Sequence, residues 1–180
     1  MRDNKTRMVV EAGIMIALAY VLSMVKLFQM PNGGTVTAGS MIPILIFAFR
    51  WGGVQGMFVG AVYGVIEFLL GPKWSFHIAS IAFDYVVAFG ALGLAGFFRN
   101  GGMVKGIVGV VVGIAGRFVC HVLSGVIVWA SYAPEGMNPW IYSIVYNGTY
   151  LSAELVISIV LFALLYKPLV RSNTLATSRA

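Results

Sequence analysis

The sequence predicts an all-α integral membrane protein, a bundle of six transmembrane helices formed by one domain of 180 residues. Hydrophobic residues make up 59% of the chain and charged residues only 10%, whereas roughly a quarter of an average soluble domain is charged. Five apolar stretches approach the roughly 20 residues that a helix needs to cross a bilayer core. Lys and Arg are also distributed unequally between alternate loops, as membrane topology requires.

The predicted helices follow the apolar stretches in chain order. The N-terminal apolar run is too long for a signal peptide and precedes no cleavage site of small residues, so we expect a retained helix. The second stretch, SMIPILIFAFRW, holds only a dozen residues and indicates a short, tilted or partly re-entrant helix. RWGG then makes a tight turn into the third helix. The predicted bounds are 8–28, 40–51, 52–70, 77–98, 104–132 and 138–167.

Basic residues predict that both termini are cytoplasmic. With the N-terminus inside, nine Lys and Arg residues fall on the inner side, against Lys26 and Lys73 outside. This asymmetry follows the positive-inside rule and requires an even number of helices, which favours six spans over five. The nine inner residues are Arg2, Lys5, Arg7, Arg50, Arg99, Lys105, Lys167, Arg171 and Arg179. The net charge of +6 is therefore interpreted as a topology signal, and we expect no nucleic-acid partner.

Four predicted helices carry polar groups that lipid disfavours; the third has Glu67, and the other three have several groups at helical spacing. The fourth has His77, Ser80 and Asp84 on one face. The fifth has Arg117, His121, Gly125 and Trp129, four residues apart. The sixth has Tyr142, Tyr146 and Tyr150, with Asn147 and Glu154 nearby. A charge at mid-membrane costs about 2.5–3.5 kcal/mol on insertion scales, so such residues predict a cavity.

Helix rise places these groups at similar depth. At about 1.5 Å per residue, Asp84 and His121 lie roughly 10–15 Å below the outer helix ends, and Asn147 is near that layer. The sequence therefore predicts a pocket in the outer half of the bilayer, suited to a small, flat, polar aromatic ligand, possibly a cation. Aromatic faces attract such cations, and Gly125 lets a ring approach the helix backbone.

Structural roles remain open for several of these groups. Arg117 can pair with Asp84, Glu67 or Glu154 to brace the bundle, and the tyrosines can serve as packing or interfacial residues. The chain has no P-loop, no H-E-x-x-H sequence, and too few histidines and cysteines for a metal site. We expect no cofactor. A transporter this small would take its energy from a partner, and Gly13 and Ala17 on the first helix permit close helix contact.

Four stretches resemble a known family: MIPILIFAFRWG, FDYVVAFGALGLAGFFRN, RFVCHVLSGVIVWASYAPEG and WIYSIVYNGTY, covering about residues 41–155. The chain resembles the thiamine-specific substrate-binding (S) components of energy-coupling factor (ECF) vitamin transporters. That resemblance implies a non-enzymatic, multi-pass protein of the prokaryotic cell membrane. It would bind thiamine with high affinity from outside and dock on a membrane coupling subunit driven by two ATPases, with membrane lipid around it.

The resemblance also implies roles for individual residues. Asp84 matches a pocket carboxylate, Arg117 stands where some members have lysine, and Gly13 and Ala17 match a docking motif. Further pocket positions are matched by Tyr85, His121, Gly125, Trp129, Tyr142, Asn147, Trp74 and Asn32, and Tyr146 would stack on the ligand. The chain departs from the family in its first outer loop, GGTVTAG, which lacks the tryptophan of some members.

Three alternatives accompany this hypothesis. The ligand can be another vitamin, such as riboflavin, or a thiamine precursor. An embedded enzyme would use Asp84 and His121 as an acid/base pair. A purely structural membrane subunit would leave the polar layer without a purpose.

Overall fold

The computed structural model describes residues 2–177, with side chains from 4 to 168. The side chains of Arg2 and Arg171, and all of Arg179, which entered the topology argument, lie outside the described residues. Within these limits the chain is helical except for one small hairpin and its loops. The elements are α1 Arg2–Met24, β1 Lys26–Gln29, β2 Thr35–Thr37, α2 Ile42–Trp51, α3 Gly53–Leu70, α4 Ile78–Phe98, α5 Gly102–Val128 and α6 Pro139–Thr177.

Five of the described helices are long and apolar enough to cross a membrane, and α2 is a shorter apolar helix. The predicted helical membrane class is therefore confirmed. The first predicted helix, 8–28, begins and ends too late: α1 spans Arg2–Met24, and Lys26–Gln29 leaves it to pair antiparallel with Thr35–Thr37. The sixth was too short, because α6 continues through Pro168 to Thr177. The fifth ends at Val128, where Ala130–Tyr132 form a separate 3₁₀ turn.

The short helix α2 occupies the middle of the bundle. Its residues Ile42 to Phe49 are all buried, and it packs against α1, α3, α4 and α6. Apolar side chains on all sides explain this position, because a helix that is hydrophobic all round belongs in a core. The helix predicted as short, tilted or re-entrant is thus a buried helix of ten residues.

Helices α3 and α4 pack backbone to backbone. Gly56, Gly60 and Gly64 recur every four residues along α3; Gly60 and Gly64 face α4, and Gly56 lies between Ala48 of α2 and Gly93 of α4. A Cβ at Gly60 would overlap the carbonyl of Phe89, and one at Gly64 would overlap that of Tyr85. Small residues at this spacing allow membrane helices to approach closely. This contact fixes the part of α4 that carries Asp84.

Candidate functional site

A cavity of about 490 Å³ lies among α3, α4, α5 and α6 and is bordered by the hairpin. The sequence analysis proposed eleven ligand-binding residues, and every one of them borders this space. They are Asn32, Trp74, Asp84, Tyr85, Arg117, His121, Gly125, Trp129, Tyr142, Tyr146 and Asn147. Residues from three helices and the loops between helices therefore converge on one cavity, while their contact with a ligand stays a prediction.

Asp84 is the centre of the polar wall. Its Oδ2 accepts hydrogen bonds from the hydroxyls of Ser80 and Ser124, each at 2.6 Å. Its Oδ1 lies 3.0 Å from Nδ1 of His121. Three donors from α4 and α5 thus meet one half-buried carboxylate, which is how a charge becomes tolerable inside an apolar bundle.

His121 links Asp84 to Arg117. Nε of Arg117 donates to Nε2 of His121 across 3.1 Å. Because Arg117 has no acceptor to offer, Nε2 must be the unprotonated nitrogen, so Nδ1 carries the hydrogen and donates it to Asp84. The Arg117 guanidinium also lies 4.1 Å from the ring centroid of Phe89, a cation–π contact. Both ring nitrogens of His121 are therefore engaged within the protein.

A π-helical turn presents Asp84 and Tyr85. Residues Ile81–Val86 form this turn inside α4, and such turns occur frequently at functional sites. The sequence analysis predicted that His77 shares a helix face with Ser80 and Asp84, and this prediction was wrong. It is exposed at the start of α4, where its Nδ1 accepts from the backbone N–H of Ala79.

Asn147 and Gly125 bring α5 and α6 together. A Cβ at Gly125 would overlap the hydroxyl of Ser143, and that hydroxyl donates to the carbonyl of Val122. The amide nitrogen of Asn147 donates to the carbonyl of Ser143 at 2.9 Å, and its Oδ1 accepts from Tyr150 at 2.9 Å. Gly125 therefore makes room first for Ser143, rather than only for a ligand ring.

The hairpin covers the cavity and is tied to α6 at two points. The hydroxyl of Tyr146 accepts from the N–H of Gly34 at 3.0 Å and donates to the carbonyl of Pro31. Deeper along α6, Oε1 of the buried Glu154 accepts from both the N–H and the hydroxyl of Thr37, at 2.5 and 2.8 Å. These bonds fix the hairpin to the last helix.

The loop between α3 and α4 meets the hairpin through Trp74. An added Cβ on Gly33, which has φ of +107°, would lie 2.9 Å from the Trp74 ring. Beside it, Asn32 adopts φ of +63°, a left-handed conformation that asparagine tolerates better than most residues. Asn32 and Trp74 therefore help to form the cover, and Tyr85 joins it by donating to the carbonyl of Pro72 at 3.4 Å.

Aromatic rings line the space between wall and cover. Tyr146 packs between Tyr142 and Tyr150, with ring centroids 5.9 and 6.1 Å away. Directly after the C-terminal end of α5, the rings of Trp129 and Tyr132 have centroids 5.4 Å apart. The stripe of tyrosines on α6 therefore borders the cavity instead of serving only as an interfacial belt.

Several further residues border the cavity that the sequence analysis did not assign to the ligand. Ser143 had no signal beyond its position one turn from Tyr146. Ser124, which holds Asp84 from behind the cavity surface, had none beyond its position one turn from His121. Glu67 and Glu154 were interpreted as bracing residues, yet both border the cavity, as do Tyr63, Ser80, Thr37 and Tyr150. Gly13 and Ala17, in contrast, lie on the exposed face of α1, and a Cβ on Gly13 would meet no atom within 4 Å.

Comparison with known proteins decides the family. The family described as "Thiamine transporter protein (Thia_YuaJ)" matches residues 9–173. The chain belongs to the thiamine transporter family. Thiamine transporter ThiT of Bacillus subtilis is 34% identical over 171 residues, which are 87% of this chain and 88% of that protein. Thiamine transporter ThiT of Lacticaseibacillus paracasei is 28% identical over 92% of this chain and 90% of its own.

A solved structure supports the same assignment to the thiamine transporter family. ThiT from Listeria monocytogenes superimposes with a TM-score of 0.80 at 25% identity, covering 92% of this chain and 96% of that one. The resemblance to thiamine-specific S components drawn from the sequence is thereby confirmed. The family's role is transport, so the expectation of a non-enzymatic protein is supported at that level.

Proposed function

We propose that the protein is the high-affinity thiamine-binding subunit of an ECF-type importer and takes thiamine from outside the cell. The observation that carries this proposal is the cavity in which Asp84, held by three donors, faces aromatic rings under a covering hairpin. A small-molecule site is typically concave and mostly apolar, with a few fixed polar groups. Thiamine, which joins an aminopyrimidine to a cationic thiazolium, matches that combination.

The hydrogen bonds within the protein determine which polar atoms remain available to the ligand. Asp84 retains acceptor capacity on Oδ1, which receives only His121, so it accepts from the amino group of the aminopyrimidine. Asn147 uses its amide nitrogen within the protein and offers Oδ1 as an acceptor. His121 fixes Asp84 and presents its ring face. Trp129, Tyr142 and Tyr146 stack on the two heterocycles.

The proposed orientation in the membrane rests on the distribution of Lys and Arg along the chain. In this proposal six spans cross the membrane, α2 and the hairpin together forming the second, and both termini are cytoplasmic. The cavity then lies in the outer half of the bilayer and is closed from outside by the hairpin and Trp74. The membrane is the prokaryotic plasma membrane.

Energy comes from partners in this proposal. A membrane coupling subunit and two ATPase subunits bind the chain, and the exposed face of α1 around Gly13 and Ala17 is the docking surface. Small residues there allow a partner helix to approach closely. Because the vitamin enters from one side and leaves on the other, release requires the partner complex to reorient this subunit.

Direct binding tests the function. Purified protein in detergent should quench its tryptophan emission on titration with thiamine, because Trp74 and Trp129 border the cavity. Mass spectrometry of the co-purified small molecule would identify the ligand without a prior choice. A panel containing riboflavin and thiamine precursors distinguishes the alternative vitamins, and turnover of the bound ligand would favour the enzyme. Absence of thiamine binding, with an intact unfolding transition, would contradict the proposal.

A further inference from the structure

The negative charge of Asp84 is already compensated within the wall of the cavity. Arg117 is a permanent cation, His121 is neutral in the tautomer that its two hydrogen bonds require, and Asp84 is the anion at the end of this chain. The three groups sum to zero charge. A cationic ring entering the cavity therefore gains little net attraction from Asp84, although Asp84 still offers a hydrogen-bond acceptor.

Two other carboxylates border the cavity, and their surroundings differ. Glu154 is 3% exposed; Thr37 occupies its Oε1, and its Oε2 is enclosed, without a donor among the described residues. A ligand in the cavity has no direct access to that enclosed oxygen. Glu154 therefore borders the cavity as an anchor for the hairpin and offers a ligand no free oxygen.

Glu67 is less buried than Glu154 and keeps one carboxylate oxygen without a donor in the described part of the chain. It lies one turn before the end of α3, half-buried, and borders the cavity together with Gly71 and Trp74. Its Oε2 accepts from the hydroxyls of Tyr63 and Ser23, at 2.9 and 3.3 Å. Both donors are neutral, so they orient the carboxylate without cancelling its charge. In the described part of the chain, no group donates to its Oε1.

Tyr85 connects the two carboxylates in space. Tyr85 directly follows Asp84 in the chain, and its ring packs 5.3 Å from that of Phe68, the residue after Glu67. Both carboxylates border the same cavity. A ligand with one hydrogen-bonding ring and one cationic ring can therefore use Asp84 as an acceptor and Glu67 as an uncompensated charge.

We propose that Glu67, and not Asp84, supplies the negative charge that compensates the cationic ring of the ligand and selects it over neutral analogues. This inference rests on the proposed thiamine-binding function and names the residue that sets its charge selectivity. The carboxylate acts on the ring at short range through the cavity, while Tyr63 and Ser23 hold it in position.

The experiment compares two ligands in each variant by calorimetry in detergent. One is thiamine and the other is an isosteric analogue in which neutral thiophene replaces thiazolium. Glu67→Gln should weaken thiamine binding by at least about tenfold, because a charge pair a few ångströms apart in a partly buried site exceeds 1.4 kcal/mol. It should weaken the neutral analogue less than about threefold, since only the charge-dependent part is lost. Glu67→Asp should keep most of the preference.

Two controls separate charge from structure. Asp84→Asn should weaken both ligands by similar factors, because it removes an acceptor that both use. Glu135→Gln removes the same charge from an exposed outer loop and should change neither affinity.

The outcomes are distinct. An unchanged ratio of the two affinities in Glu67→Gln, or a ratio that changes with Asp84→Asn instead, would overturn the inference. If Glu67→Gln bound neither ligand, Glu67→Ala would be measured, and loss of both ligands there with an intact unfolding transition would also overturn it. Failure of the wild-type chain to bind thiamine would instead contradict the proposed function itself.

Discussion

The wall of the cavity and its cover are held by different kinds of contact. In the wall, Asp84 receives three donors from helices whose backbones are already fixed by packing. In the cover, the strands of the hairpin have four and three residues, and α6 holds them through the side chains of Tyr146 and Glu154. We therefore expect a rigid wall, fixed by helix packing, and a cover that can open, because only a few side-chain hydrogen bonds hold it.

This difference assigns different tasks to the two regions. A rigid wall keeps its donors and acceptors in place before a ligand arrives, which raises affinity by lowering the cost of ordering. A cover held by a few hydrogen bonds can part and close again at a cost of about 0.5–1.5 kcal/mol per bond. Variants of the wall should therefore lower equilibrium affinity the most, and variants of the cover should lower it less, through faster dissociation of the ligand.

The largest effect is expected from Asp84→Asn in the wall. The amide nitrogen replaces an acceptor with a donor beside Ser80, Ser124 and His121, and Arg117 loses its anion. Leaving buried polar groups unpaired costs about 1–3 kcal/mol each, so affinity for thiamine should fall by at least about a hundredfold. Calorimetry measures this. Unchanged affinity would mean that the wall does not bind the ligand.

The next effect is expected from Gly125→Ala, which tests how tightly the wall is packed. The new methyl group would overlap the Ser143 hydroxyl, and overpacking of this kind costs about 1–3 kcal/mol. Thermal unfolding in detergent should shift downward, and the double variant with Ser143→Gly should recover most of the loss. A single variant as stable as the wild type would show that α5 and α6 separate easily.

A smaller effect is expected from Tyr146→Phe, which unties the cover while keeping the ring. The N–H of Gly34 and the carbonyl of Pro31 lose their shared partner. The dissociation rate of thiamine in stopped-flow fluorescence should rise about five- to tenfold, the equivalent of one hydrogen bond. The unfolding temperature should stay unchanged. An equal fall in the association rate would indicate that Tyr146 belongs functionally to the wall.

The smallest effect is expected from Asn32→Gly in the tip of the cover. Glycine adopts positive φ without steric cost, so the folded hairpin is retained, while its added freedom when unfolded offsets the gain. Thiamine affinity should change less than about threefold. A larger loss, with Asn32→Asp retaining binding, would show that the Asn32 side chain contacts the ligand directly.

Much of the helical fold was predictable because hydropathy reports burial in lipid directly. The stretch from Lys26 to Gln29 was not, since KLFQ continues the apolar run of α1 and nothing within it marks a strand. Its pairing with Thr35–Thr37 depends on where α6 places Glu154, a contact 117 residues away. The glycines of α3 did carry a signal, their four-residue repeat, that the sequence analysis did not use.

The site was predictable where helical spacing alone determines position. Arg117 and His121 are four residues apart on one regular helix, and they do contact each other. His77 failed because it stands before the first turn of α4, where its side chain caps the helix instead of following the face of Asp84. Ser124 was not assigned because a serine one turn from a histidine has many equivalent roles until the facing helix is known.

The shortness of α2 has a consequence for entry of the ligand. Ten residues of helix extend about 15 Å, half of a hydrocarbon core about 30 Å thick. In the proposed six-span topology the other half of that crossing falls to extended chain, so opening the cavity would require no bending or unwinding of a membrane-spanning helix. Loop displacements of this kind are rapid, in the nanosecond to microsecond range. In that proposal, slower events on the opposite side of the membrane would set the rate of uptake.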